Sequence, residues 1–159
     1  MAAMAGKQQD SAGVIFPPPL IYLVGLILGY GLGLVFPVTL LPFLPSLILG
    51  VVVLLAGLAI GFSAITAFRR HNTTLIPTRS ATAMVQDGPY RFTRNPMYLS
   101  FGILYAGLSL IVDSLWSLLL LIPVILMVNY YVIAREEKYL TREFGDEYRS
   151  YTAKVRRWI

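Results

Sequence analysis

The chain has 159 residues, the length of one ordinary domain. Apolar residues make up 57% of it and charged residues 13%, about half the usual charged share, which excludes a water-soluble domain and marks an integral membrane protein. There is no Cys, which rules out disulfides, a thiolate nucleophile and Cys-ligated metal, and the single His, His71, speaks against a His-built metal site, so no metal is expected.

Residues 1–13 are small and polar, with Lys7 and Asp10, and read as a disordered tail. The apolar run behind them is too long for the core of a signal peptide, and no small-residue cleavage pattern closes it. Residues 14–68 hold two membrane spans. The first is expected over roughly Phe16–Phe36, with Pro17, Pro18 and Pro19 at its mouth, where proline is tolerated. Gly25, Gly29 and Gly33 recur every fourth residue and make a smooth face for close helix approach. An uncharged turn rich in proline, Pro37–Ser46, leads to the second span at roughly Leu47–Phe68, where Gly50, Gly57 and Gly61 repeat the small-residue pattern. These faces suit packing within the chain or between copies, and the oligomeric state stays open.

The rest of the chain, residues 69–159, reads as a catalytic region. Arg69–Met97 is a long polar loop with Arg69, Arg70, His71, Arg79, Arg91 and Arg94 against one acid, Asp87. Loops of that length are functional or disordered, and Tyr90, Phe92 and Tyr98 favour order. A third span, roughly Pro96–Val112, and a fourth, roughly Leu115–Ala134, are separated by Asp113 and Ser114 alone and form a tight helical hairpin. Asp113 reads as a turn residue, and Pro123 is expected to kink the fourth span. Beyond Ala134 the helix turns polar and runs to Gly145, a natural stop. Asp146 is placed to cap a second short helix carrying Tyr148, Tyr151 and Val155. The end, Arg156-Arg157-Trp158-Ile159, has the basic–aromatic pattern of a headgroup-region segment.

The fold class is therefore all-α, a polytopic bundle of about four membrane helices with a polar C-terminal helical segment. Four spans put both termini on one side together with all 13 Lys and Arg residues. By the positive-inside rule that side is cytoplasmic, and the net charge of +5 faces anionic lipid, not nucleic acid.

Almost all ionisable groups thus sit in two stretches on one face, and a site where they meet is the economical reading. Glu136 and Glu137 leave a span directly, where carboxylates need cationic partners. They point about 100° apart on a helix, so at most one is expected to face the core. They either pair with nearby cations or hold a ribose hydroxyl or an amine of a ligand. Arg91 and Arg94, three apart, converge on a carboxylate or phosphate if the segment is helical, or snorkel to lipid phosphates. Asn95-Pro96 is a turn signal and an end-cap for the third span; Tyr98, Ser100 and Gly102 follow, the small residues serving ligand approach or packing. Phosphate-cradling loops, dinucleotide fingerprints, nucleophile elbows and metalloprotease helices are all absent from the sequence.

Two blocks, Gly88-Pro89-Tyr90-Arg91-x-x-Arg94-Asn95-Pro96-x-Tyr98 and Glu136-Glu137-x-x-Leu140-x-x-x-Phe144-Gly145-x-x-Tyr148-x-x-Tyr151, resemble the isoprenylcysteine carboxyl methyltransferase family. Phospholipid N-methyltransferases are its broader relatives. The resemblance covers about residues 66–159. It implies an integral membrane enzyme that uses S-adenosylmethionine, releases S-adenosylhomocysteine and acts on a lipophilic or lipidated acceptor. It also implies a cofactor pocket closed by the C-terminal segment and lined by Arg94, Asn95, Pro96, Tyr98, Ser100, Gly102, Glu136, Glu137 and Tyr148. Arg94 and Glu137 take the catalytic role, and Arg91 and Tyr151 fall on the acceptor side. Asn95 stands where eukaryotic members usually carry His, which aligns the chain with the prokaryotic-like branch; Ser100 replaces a common Gly. The leading expectation is carboxyl O-methylation of an isoprenylcysteine-like acceptor. The alternatives are N-methylation of a phospholipid headgroup amine and a non-catalytic membrane scaffold.

Overall fold

The computed structural model describes residues 16–70 and 84–159; the readings of the tail 1–13 with Lys7, of His71 and of Arg79 lie outside them. Among the described residues every regular element is helical. Helix α1 is Pro18–Val35 and α2 is Phe43–Arg70. A 3-10 turn, Gly88–Arg91, leads to α3, Pro96–Ile111. Helix α4, Leu115–Met127, passes without a break into a π-helical segment, Val128–Ile133, and then into α5, Ala134–Lys154.

The helices run alternately up and down. At one end, Tyr22 near the start of α1 donates to the carbonyl of Tyr98 at the start of α3 (3.0 Å), and Phe68 at the end of α2 stacks edge-on against Tyr90 of the 3-10 turn. At the other end, Ser46 at the start of α2 donates to the Leu110 carbonyl (2.7 Å), and the Trp116 indole at the start of α4 donates to the Phe36 carbonyl (2.7 Å). Helix α3 packs against α2 on one side and against α1 and α4 on the other.

The glycine faces are used within the chain. Those of α1 meet α4: a Cβ added at Gly29 would lie 2.6 Å from the Ser117 nitrogen. Those of α2 meet α3, where a Cβ at Gly50 would lie 2.8 Å from the Ile111 nitrogen. Backbones this close leave no room for a side chain, so the small residues specify the contact. The outer faces carry exposed Ile27, Leu55, Phe62 and Ile122, which suit lipid, and the long apolar helices make this a membrane protein.

The observed helix bounds differ from the expected spans mainly at the start of α2. Helix α2 starts four residues early because Pro45 falls in its first turn, where no intrahelical N–H is needed. Its 28 residues extend about 42 Å, beyond the hydrocarbon thickness. Helix α4 runs through Pro123, and its winding changes at Val128. Asp113 is the expected turn residue, with a left-handed φ of 48°. Its carboxylate also accepts from the Leu40 and Leu41 amides (3.1 and 3.4 Å), tying the α3–α4 turn to the α1–α2 turn. At Gly145, φ is 52°, and α5 breaks there into two halves as its sequence indicates.

Candidate active site

The charged end of the bundle gathers three pieces of backbone. The segment Thr93–Tyr98 enters α3, Glu136 and Glu137 open α5, and the residues after Lys154 fold back between them. The tail is held by main-chain contacts: the Arg94 amide donates to the Arg156 carbonyl (3.0 Å). The Asn95 side-chain amide (2.9 Å) and the Thr93 hydroxyl (3.2 Å) both donate to the Arg157 carbonyl. Asn95 stands at the N-cap position of α3 but makes no side-chain cap; its side chain secures the tail instead, which corrects the end-cap reading.

Glu137 lies between two guanidinium groups. Arg94 Nη2 is 3.1 Å from Oε1, and Arg157 grips both oxygens, with Nε 3.1 Å from Oε1 and Nη2 on Oε2. Planar two-point pairing of this kind fixes the carboxylate's orientation as well as its charge. The Arg157 guanidinium is held more firmly protonated by its hydrogen bonds to Glu137. Arg94 Nε, in contrast, is buried and has no hydrogen-bond partner among the described residues. A buried unpaired donor on a cation is costly unless an acceptor fills its place.

Glu136 has a different setting. Its carboxylate accepts from the Tyr98 hydroxyl (2.5 Å). Burial raises its pKa to about 7, opposed by the Tyr98 hydrogen bond and helped by the charge on Glu137. The expectation that only one of the two glutamates faces inward is therefore corrected: both do, toward different neighbours. Residues about 100° apart can share an interior when one meets α3 and the other the tail.

The remaining expected residues divide. Tyr148 is buried beside this cluster; burial pushes its phenol up to about 12, with Glu137 adding to the rise and Arg94 opposing it. Pro96 is fully buried in the first turn of α3. Tyr151 stacks near Tyr148 (ring centroids 6.2 Å) and donates to the Tyr90 carbonyl (2.7 Å), pinning the last half of α5 to the 3-10 turn. Ser100 is turned to α2, where it donates to the Gly57 carbonyl (2.8 Å). Gly102 faces Tyr22 of α1. Arg91 and Arg94 do not converge: Arg91 is exposed at the end of the 3-10 turn, and the chain leaves helical geometry before Arg94.

Three participants were not singled out from the sequence. Asn129, in the π segment, accepts through Oδ1 from Arg157 Nη1 (3.2 Å) and from the Trp158 indole N–H (3.0 Å). Arg157 and Trp158 belong to the segment read as a headgroup anchor, yet both turn inward. A signal was present: Asn129 is the one amide side chain between Leu115 and Ile133, and polar groups inside a span call for a partner.

The fold and this cluster define a polytopic α-helical membrane protein with its polar chemistry gathered at one end. A model of the phospholipid methyltransferase family matches residues 45–147, and the chain belongs to that family. Over 63 residues it is 46% identical to an uncharacterized protein of Haemophilus influenzae, covering 40% of this chain and all of that protein. Over 94 residues it is 34% identical to the protein-S-isoprenylcysteine O-methyltransferase of Schizosaccharomyces pombe, covering 59% of this chain and 36% of that enzyme.

Proposed function

We propose that the chain is an S-adenosylmethionine-dependent membrane methyltransferase acting on a lipophilic acceptor. The observation that carries this reading is the largely buried Arg94–Glu137 pair, gripped by the half-buried Arg157 and with Arg94 Nε unpartnered among the described residues, beside the buried carboxylate of Glu136. The free donor on Arg94 suits a carboxylate, and Glu136 and Glu137 suit an ammonium or ribose hydroxyls, so the residues fit an amino-acid-bearing nucleoside. Arg94, Glu137 and Tyr148 would hold it, with Asn95 keeping the tail closed over them. When bound, S-adenosylmethionine supplies a methyl group already activated by its sulfonium, and S-adenosylhomocysteine leaves. The protein's own part is alignment of the acceptor and exclusion of water.

An isoprenylcysteine-like carboxylate is the first acceptor class, on the likeness to the Schizosaccharomyces pombe enzyme. Such a group is nucleophilic without a base. The second class, a phospholipid headgroup amine, is favoured by Glu136, whose raised pKa suits a group that takes up a proton. On either acceptor the charged end faces the cytoplasm, since the basic residues near the span ends lie there.

Calorimetric titration of detergent-purified protein with S-adenosylmethionine and S-adenosylhomocysteine tests the cofactor. Saturable binding supports the reading; none in folded protein, in detergent and in nanodiscs, favours a scaffold. Base-labile methanol released from the product identifies an ester, and its absence with a methylated amine identifies the second class. The chain lacks Cys, so single introduced cysteines report orientation directly by labelling from each side.

A further inference from the structure

Two of the chain's last residues, Arg157 and Trp158, turn inward. Arg157 reaches Glu137 with one edge of its guanidinium and Asn129 Oδ1 with Nη1, while Trp158 donates to the same Asn129 oxygen. Asn129 belongs to the π segment, a winding found frequently at functional sites. The asparagine is separated from Glu137 by two turns of helix, and its one link to that carboxylate is the Arg157 guanidinium. Without it, Arg157 would keep the Glu137 contact but lose the fixed point that sets its angle.

We infer that Asn129 is a positioning residue which, through Arg157, fixes the orientation of the Glu137 carboxylate and thereby sets affinity for the cofactor. This rests on the reading of Glu137 as a cofactor ligand. A positioning role predicts a change in binding with little change in turnover at saturation. It also predicts that Asn129 acts only while Arg157 is present.

The test measures S-adenosylhomocysteine affinity by calorimetry in Asn129→Leu, Asn129→Asp, Arg157→Ala and the Asn129→Leu/Arg157→Ala double variant, with melting temperatures taken without ligand. Asn129→Leu is expected to bind about tenfold more weakly, the scale of losing a hydrogen bond to a charged group. Asn129→Asp, which keeps the acceptor oxygen, should recover to within about threefold of the parent. In the Arg157→Ala background the leucine change should have no further effect on affinity, and kcat at saturation in Asn129→Leu alone should stay within about twofold of the parent. Trp158→Phe, which keeps the ring and removes the donor, should weaken binding about threefold and serves if Asn129→Leu does not fold. Unchanged affinity in both Asn129→Leu and Trp158→Phe, or additive losses in the double variant, overturns the inference. Glu137→Ala is the control: if it loses binding while the asparagine variants do not, this inference alone fails. If Glu137→Ala itself binds normally, the reading of the site fails.

Discussion

The two ends of the bundle solve the same problem in opposite ways. Each must close helix ends and turns and hold at least one acid. At the uncharged end, Asp113 is satisfied by two backbone amides, and the serines and Trp116 donate to nearby carbonyls. These acceptors are all taken up within the two turns and the helix ends they join. At the charged end the acids meet Tyr98 of α3, Arg94 just before it and Arg157 of the tail, and among the described residues one donor, Arg94 Nε, is left over. A carboxylate held by backbone amides keeps fixed partners, whereas one held by side-chain cations can exchange them for a ligand.

The contrast is sharpest in Glu137→Ala. Removing that carboxylate leaves two guanidinium groups facing one another, and cofactor affinity should fall at least about 100-fold, on the order of 3 kcal/mol, by calorimetry. A loss below about threefold would make the charged end as structural as the other. Acidity probes the same end through Glu136. Near pH 4.5 and upward the unfolded chain gives up this proton, while the folded chain keeps it until about 7. Stability is therefore expected to fall as pH rises across that window, by on the order of 3 kcal/mol, and to level off above it. Melting in detergent between pH 5 and 8 should show the fall in the parent and a flatter profile in Glu136→Gln. Asp113→Ala is the counterpart at the uncharged end. It should lower stability by about 1–2 kcal/mol, as two hydrogen bonds are lost, and leave cofactor affinity within twofold. Arg91→Ala should do least: exposed and outside the cluster, its loss should shift cofactor affinity by less than about twofold. A tenfold effect there would extend the site to the 3-10 turn.

Most of the fold was legible because lipid imposes a simple pattern. Long apolar runs, glycines at every fourth residue and the breaks at Asp113 and Gly145 all act locally, so the spans follow from sequence to within a few residues. The expected site residues are legible in part. Arg94, Tyr98, Glu136, Glu137 and Tyr148 come together from stretches far apart, and their motif spacing carries that information. Ser100 shows the limit: a small residue near the mouth of a span serves ligand approach or packing alike, and only the position of α2 decides for packing. Asn95 was read as a local cap, yet its partner is a carbonyl 62 positions along the chain. The inward contacts of Arg157 and Trp158 are not legible, because a basic–aromatic pair suits headgroups equally well. Tail folding is non-local, and no periodicity records it.

The π segment bears on heredity as well as on geometry. Wider winding over Val128–Ile133 takes up one residue, so α5 emerges turned by about 100° from where unbroken α winding would carry it. With α winding throughout, Arg135 would fall where Glu136 meets Tyr98, and Glu136 would fall between Arg94 and Arg157. A helical wheel drawn over the whole run therefore assigns the inward face past Ile133 one residue out of phase. The sign of charge presented to Tyr98 is thus decided by a winding anomaly that ends three residues upstream of Glu136, without any change in the side chains themselves. Gain or loss of a single codon in that stretch is a mutation of the site.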